Sequence, residues 1–136
     1  VFDHEGCLQN SFEEVTYITH GPMHTAADVD LDGNVELVTG TRIAEWDTTA
    51  TEWVDESYFT ADPVSRTGHV AVADLGQYSA LPGMPTPNAL PEIIVVSAET
   101  DDYDPDTTGT IRVHALDGTL LFGPIDLHHS VGVEGG

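Results

Sequence analysis

The chain has 136 residues, with 24 Asp or Glu against 3 Arg and no Lys, and its formal net charge is -21. Apolar residues make up 40%, so the chain has the side chains to bury a core and does not have the composition of a disordered tail. The shortage of basic residues excludes nucleic acid as a partner and disfavours an anionic membrane surface, because the chain offers either polyanion almost no positive charge.

Repulsion within so acidic a chain costs stability unless salt or bound cations offset it, so we expect a high-salt or calcium-containing extracellular setting. The lone Cys7 excludes an internal disulfide and a multi-thiolate metal site. The sequence contains no apolar run of membrane-spanning length and no signal-peptide pattern. Because it begins at Val1 and not at an initiator methionine, we expect a mature segment or an excised piece of a longer protein.

A hairpin pattern opens the chain and recurs further along. VFDHEGCL at 1–8 matches VHALDGTL at 113–120, and each predicts two short strands around an acidic-glycine turn. Residues 43–47 and 51–54 occupy the corresponding place without a glycine. The sequence therefore contains three copies of one hairpin.

A second repeated pattern lies between these hairpins. The first copy is Ala27-Asp28-Val29 followed by Glu36-Leu37-Val38. It resembles Ala73-Asp74-Leu75 followed by Glu92-Ile93-Ile94, once an insertion near 77–89 is allowed. The chain then divides into the end of one unit (1–19), a complete unit (20–65), a longer complete unit (66–129) and the start of another (130–136).

The apolar runs in each unit are short, rich in Val, Ile, Leu and Thr, and bounded by Gly, Pro, Asp or Asn, and no segment keeps a helical period. Ile93–Val96 is continuous and predicts a strand buried on both faces, whereas Thr110–His114 alternates and predicts a half-exposed strand. We expect an all-β chain with about four short strands per unit.

The stretch AADVDLDGNVELVTG, residues 26–40, carries the pattern D-x-D-x-D-G-x-x-E. Calcium takes about 6 to 8 oxygen ligands, and alternating acids in a turning loop aim several carboxylates at one point, while Gly33 permits the bend. The predicted ligands are the side chains of three aspartates, the carbonyl of one asparagine and a final carboxylate: Asp28, Asp30, Asp32, Asn34 and Glu36.

Two other interpretations of this loop compete with calcium binding. An EF-hand opens in the same way, but it needs an acid at loop position twelve, which is Thr39 here, and flanking helices where this sequence predicts strands. Alternatively, Asp32-Gly33 makes a tight turn and the remaining acids are solvated.

The corresponding loop of the second unit keeps Asp74 and Glu92 but has Gly76 in place of an acid, so we expect it to bind metal weakly or not at all. Its Pro-rich insertion, residues 81–87, predicts a surface loop. A further acidic cluster at 99–106 is either a solvated loop or a second calcium site. Seven histidines show no zinc or catalytic motif, and His128 and His129 would face opposite ways on a strand.

Segments 21–40 and 68–97 resemble the FG-GAP (VCBS-type) repeats of integrin alpha-subunit heads and many bacterial secreted proteins. In those repeats a glycine-bearing strand ending in Ala-Asp leads into a D-x-D-x-D-G calcium loop, followed by an acid and a hydrophobic strand. The resemblance implies a partial β-propeller of four-stranded antiparallel blades, with Ca²⁺ at Asp28, Asp30, Asp32, Asn34 and Glu36.

A propeller closes with about 4 to 8 blades, so the remaining blades are expected from the parent chain or from other copies of this chain. The expected function is adhesion or ligand binding by a calcium-stabilised, non-catalytic propeller segment of an extracellular, periplasmic or cell-surface-attached protein. Its ligand would be a protein or a glycan. The alternatives are a fragment of a propeller-based extracellular polysaccharide lyase or hydrolase, and a scaffold element that meets a basic partner.

Overall fold

A computed structural model describes residues 2–11, 23–63, 65–76, 90–98 and 109–127. These residues form eight strands: β1 Thr25–Ala27, β2 Glu36–Val38, β3 Ile43–Asp47, β4 Glu52–Asp55, β5 His69–Ala73, β6 Glu92–Ala98, β7 Gly109–His114 and β8 Leu120–Leu127. The described part of the chain is all-β, as predicted, and within it no helix is long and apolar enough to cross a membrane.

The eight strands form two antiparallel sheets, each made by four strands that follow one another in the chain. The first sheet has the order β1-β2-β3-β4 and the second β5-β6-β7-β8. Ala27 pairs with Glu36 at the end of the first hairpin, and Ala73 pairs with Glu92 at the same place in the second sheet. The residues that the sequence comparison aligned therefore occupy the same register position in their sheets.

The core lies between the two sheets and is built from both of them. Its buried side chains are Val29, Val38, Ile43, Val70, Ile93, Val95 and Leu116. The sheets also meet edge to edge at their first strands, where the Val70 N–H donates to the Met23 carbonyl at 2.9 Å and the Thr25 hydroxyl donates to the Val70 carbonyl. Apolar burial and backbone hydrogen bonds thus join the two units.

Three predictions about individual strands need correction. β7 is largely buried, and on its core-facing side Arg112 Nη1 donates to Ser97 Oγ and Thr110 Oγ1 within the sheet. In β6 the residues Ile94 and Val96 are only half-buried, so this strand is not buried on both faces. Within residues 2–11, the first hairpin contains a single bridge between Phe2 and Leu8 and no extended strands.

Other sequence predictions lie outside the described residues. They concern the Pro-rich insertion at 81–87, the acidic cluster at 99–106, the histidine pair at 128–129 and the final unit at 130–136.

Candidate metal centre

The five predicted ligands lie in or beside the first loop, residues 28–35, which connects β1 to β2. Asp28 and Asp30 are half-buried, and Glu36 is buried. Asp32 and Asn34 are exposed. Glu36 is the first residue of β2, and only 1% of its surface is exposed. The loop therefore brings acids from the surface to the edge of the core.

Glu36 closes the base of the first loop. Its Oε2 accepts a hydrogen bond from the Val29 N–H at 2.7 Å, and this contact is buried. Val29 itself is fully buried in the core between the sheets. The carboxylate thus ties the start of the loop to β2 and satisfies a backbone donor that has left the strand ladder.

In the rest of the loop, aspartate side chains accept hydrogen bonds from backbone N–H groups of the same loop. The N–H groups of Asp32 and Gly33 donate to Asp30 Oδ1 and Asp28 Oδ2, both at 3.2 Å. Gly33 has φ 100° and Leu31 has φ 65°, so two residues of this loop adopt the left-handed region. For leucine that conformation is strained by about 1 kcal/mol or more, and the surrounding hydrogen bonds hold it in place.

Three of the predicted ligands converge. Carboxylate oxygens of Asp28, Asp30 and Glu36 all lie within 4.8 Å of one another. Two oxygens on opposite sides of a calcium ion are about 5 Å apart, since each Ca–O distance is about 2.3 to 2.6 Å. The spacing of these three carboxylates therefore fits one ion.

One oxygen of this group is buried and unsatisfied. Asp28 Oδ1 has no hydrogen-bond partner among the described residues, although Asp28 Oδ2 accepts from Gly33. A buried carboxylate oxygen without a partner costs free energy, and a bound cation removes that cost.

Asp32 is not part of this group of three carboxylates, and it contacts Asn34. Asp32 Oδ1 and Oδ2 accept from the backbone N–H and the side-chain amide of Asn34, at 2.8 and 3.1 Å. These two exposed residues therefore pair with each other at the outer side of the loop.

Burial and repulsion between like charges both affect the ionisation of Glu36. Burial raises the pKa of Glu36, the hydrogen bond from Val29 opposes this shift, and repulsion from Asp30, Asp28 and Asp32 adds to it. The site thus disfavours its own full ionisation when no cation is present.

This acidic environment extends to two residues that the sequence patterns did not single out. Glu45 lies directly opposite Glu36 on β3, and Glu56, just after β4, is near enough to Glu45 for their carboxylates to repel each other. Burial raises the pKa of Glu56, with repulsion from Glu45 next in size, and burial raises the pKa of Tyr58. Glu45 is two residues after the apolar Ile43 and therefore lies on the same face of β3. An acid on that face was the available signal in the sequence.

The connection between β5 and β6, the second loop, has a contact equivalent to that of Glu36 with Val29. We call this glutamate-to-backbone contact the clamp. Glu92 Oε2 accepts from the Leu75 N–H at 2.8 Å, and Asp74 Oδ1 accepts from the Gly76 N–H at 2.8 Å. Gly76 stands where the first loop has an acid. Among the described residues of this loop, no three metal-ligating side chains come together.

Another acidic group lies in the first hairpin, where Asp3, Glu5 and Cys7 have ligand atoms within 4.8 Å of one another. Both Asp3 oxygens already accept hydrogen bonds, Oδ1 from the Glu5 and Cys7 N–H groups at 2.9 Å and Oδ2 from the Gln9 amide at 2.7 Å. A cation there would compete with these donors, so this group is the weaker candidate.

The described histidines do not form a metal site. His114 on β7 is 2% exposed, its Nδ1 lies 3.1 Å from the Gly118 carbonyl, and its Nε2 has no hydrogen-bond partner among the described residues. Burial lowers the pKa of His114, opposed by the Gly118 contact and by Asp62. Burial thus disfavours the charged form of this histidine.

The candidate centre offers oxygen ligands alone, which suit a hard cation such as Ca²⁺. Comparison of the chain with protein-family models, with curated proteins and with solved structures gives no match.

Proposed function

We propose that the chain is a calcium-stabilised, non-catalytic segment of a β-propeller in an extracellular or surface-attached protein, where it serves adhesion or ligand binding. Each four-stranded sheet is then one blade. The proposal starts from the resemblance of the two loop segments to FG-GAP repeats, and the antiparallel order of each sheet is compatible with it.

The observation that supports the calcium assignment is a carboxylate, that of Asp28, which has a buried, unsatisfied Oδ1 and converges with the carboxylates of Asp30 and the buried Glu36. Three acids so close together repel one another, and a divalent cation turns that repulsion into attraction. The remaining coordination positions would be filled by waters, by carbonyls of the loop or by Asp32 after a side-chain rotation.

A structural role for the cation follows from the position of the loop. Glu36 already holds the loop to β2 through Val29, and Val29 is part of the core. A cation on the same carboxylate would brace the junction of β1 and β2 from the solvent side. Its effect would therefore appear as stability of the fold.

Thermal unfolding with and without calcium tests the proposal. A ligand that binds only the folded state at about one hundred times its Kd stabilises it by about 2.7 kcal/mol. We expect excess chelator to lower the melting temperature by several degrees, and added calcium to restore it. A melting curve that chelator leaves unchanged would contradict the structural role of the cation.

The second loop supplies a matched control. Asp28→Asn removes a carboxylate from the convergent group, whereas Asp74→Asn changes the equivalent residue of a loop with no such group among its described residues. We expect Asp28→Asn to abolish the calcium-dependent shift in melting temperature and Asp74→Asn to retain it. Equal losses in both variants would mean that general acidity, and not the first loop, binds the ion.

A further inference from the structure

The tripeptide Leu-Asp-Gly occurs twice in the chain, at 31–33 in the first loop and at 116–118 in the turn between β7 and β8. In both copies the glycine is left-handed, with φ 100° at Gly33 and φ 91° at Gly118. In both copies the aspartate Oδ1 also accepts a hydrogen bond from the backbone N–H two residues further on, at 2.8 and 2.9 Å. The two copies therefore share one sequence and one local turn.

The packing around the two copies differs. Leu31 is 63% exposed, and Gly33 is exposed with it. Leu116 is 5% exposed, and Gly118 is buried. An added Cβ on Gly118 would lie 2.0 Å from the Thr60 carbonyl oxygen, whereas an added Cβ on Gly33 would meet nothing within 4 Å. The first copy is open to solvent, and the second is packed against the segment that follows β4.

The hydrogen bonds of the two glycine peptides differ in the same sense. The Gly118 N–H donates to the Ala115 carbonyl at 2.9 Å, and the carbonyl of the same peptide accepts from the Thr60 N–H at 3.0 Å. The Gly33 N–H donates to Asp28 Oδ2 at 3.2 Å, at the long end of the range for such a bond. The peptide before Gly118 is thus fixed at both of its polar groups, by the shorter bonds.

An aspartate followed by glycine can react with its own backbone, because glycine has no side chain to obstruct the next nitrogen. The lone pair of that nitrogen attacks Cγ of the aspartic acid, an N–Cγ bond forms, and the N–H proton leaves with the carboxyl hydroxyl as water. Water then opens the resulting succinimide ring. Opening at the former main-chain carbonyl breaks its bond to nitrogen, so the chain continues through Cγ as isoaspartate with a free α-carboxylate, and opening at Cγ restores aspartate.

We propose that Asp32-Gly33 is a site of isoaspartate formation in the folded chain, and that the packing of Asp117-Gly118 protects it from the same reaction. Ring closure requires the peptide to rotate until the glycine nitrogen approaches Cγ. At 32–33 the exposed loop permits this rotation and admits the water that opens the ring. At 117–118 the rotation would break the hydrogen bonds to Ala115 and Thr60, so it requires local unfolding of the turn.

The product has an altered first loop. Isoaspartate adds one methylene group to the main chain at position 32 and replaces the side-chain carboxylate that accepts from the backbone N–H of Asn34. The loop between Asp30 and Asn34 is therefore lengthened. The reaction itself needs only the aspartate, the glycine and water, so it is independent of the proposed calcium ion.

Prolonged incubation of the intact chain at neutral pH in excess chelator tests the proposal. After digestion with a glutamate-specific protease, the peptides that contain Asp32 and Asp117 are separated by chromatography, and their masses are measured. Isoaspartate is detected by methylation of its free carboxylate with an isoaspartyl methyltransferase. We expect a second form of the Asp32 peptide, with unchanged mass, a different retention time and methyl incorporation, and a single form of the Asp117 peptide.

Incubation in denaturant is the control for the effect of the fold. Both peptides are expected to react there at similar rates, because the tripeptides are identical and the packing is lost. Asp32→Glu is expected to abolish the reaction in the first loop, since its side chain would have to close a larger and less favourable ring. Asp117→Glu is the matched variant and is expected to leave the reaction at Asp32 unchanged.

An Asp32 peptide that keeps a single form in the folded chain would overturn the proposal. Reaction of both peptides at the same rate in the folded chain would overturn it as well. Neither result bears on the calcium-dependent melting shift, so failure here is distinct from failure of the proposed function.

Discussion

The first and second sheets share the same strand order and the same loop-closing glutamate, but the acids in the loops after their first strands differ. Both begin a loop after an alanine and close it with a glutamate that accepts a backbone hydrogen bond, from Val29 in one and from Leu75 in the other. In the first loop this glutamate also joins two aspartates, whereas in the second a glycine replaces one of them. The glutamate contact is therefore separable from the convergent carboxylates, and the described part of the second loop has the contact without them.

The sheets also differ at their outer hairpins. The turn of the second sheet packs against the connection at Thr60, and the largest expected effect of a single substitution lies there. Gly118 has φ 91°, and an added Cβ would lie 2.0 Å from the Thr60 carbonyl oxygen. We expect Gly118→Ala to lower the free energy of unfolding by about 3 kcal/mol.

The control for that substitution is Gly6→Ala, at the equivalent position of the hairpin at 2–8. Gly6 has φ 83°, but nothing lies within 4 Å of an added Cβ. Only backbone strain remains, about 1 kcal/mol. Denaturant unfolding of both variants measures the difference, and equal losses would show that the Thr60 contact contributes nothing.

The two clamping glutamates provide the second prediction. Glu36→Gln removes a buried charge next to Asp28 and Asp30, and the amide oxygen of glutamine can still accept from Val29. We expect this variant to be more stable than the unmodified chain in chelator and less stable in saturating calcium, by about 1 kcal/mol in each direction. Melting curves in the two buffers measure the reversal.

Glu92→Gln is the corresponding change in the second loop. Its effect on stability is expected to have the same sign and size with chelator and with calcium. A reversal of sign in Glu92→Gln would place a cation in the second loop, and no reversal in Glu36→Gln would remove Glu36 from the first site.

The third prediction concerns pH. Because burial lowers the pKa of His114, the unfolded chain takes up this proton first as the pH falls below about 6.5. The contribution of neutral His114 to stability is therefore present above that pH and is lost progressively below it. The positions equivalent to His114 in the other two hairpins hold the aromatic residues Phe2 and Trp46, so His114→Phe is expected to fold. Because it lacks the titrating imidazole, it is expected to lose less stability than the unmodified chain between pH 7 and pH 5.

His4→Phe is the control for this pH dependence, because the His4 side chain is 91% exposed. It is expected to show the pH profile of the unmodified chain. An unchanged profile in His114→Phe would mean that other groups cause the loss of stability in acid.

The smallest expected effect is at the turn between β3 and β4. Thr51 has φ 55°, where the other two hairpins have a glycine, and a β-branched residue is strained in this region. We expect Thr51→Gly to raise the free energy of unfolding by about 0.5 kcal/mol, since relief of strain exceeds the entropy cost of glycine. Thr49→Gly, in the same turn, is expected to lower it.

Local patterns in the sequence were sufficient to predict the all-β class, the loop between β1 and β2, and the equivalence of Glu36 and Glu92. These features depend on residues close together in the chain, where turn chemistry and alternation are direct signals. Sequence did not reveal that β7 is buried, because alternation of polar residues normally indicates an exposed face. Hydrogen bonds from Arg112 Nη1 give the hydroxyls of Ser97 and Thr110 a partner inside the protein.

The surroundings of the candidate centre were equally hidden. Glu45 and Glu56 reach the first loop only because β3 and β4 pair beside β2, and pairing across strands is not visible in one sequence. The burial of Asp28 Oδ1 likewise depends on how the loop folds over the core. The identity of the five predicted ligands came from spacing, and the convergence of three of them required the fold.

Calorimetric titration of the intact chain with calcium, compared between the unmodified protein, Asp28→Asn and Asp74→Asn, tests the central claim most directly. Calcium binding is expected in the unmodified chain and in Asp74→Asn with the same affinity, and the strongest binding event is expected to disappear in Asp28→Asn. Binding that is absent from the unmodified chain, or that survives unchanged in Asp28→Asn, would contradict a calcium site formed by Asp28, Asp30 and Glu36.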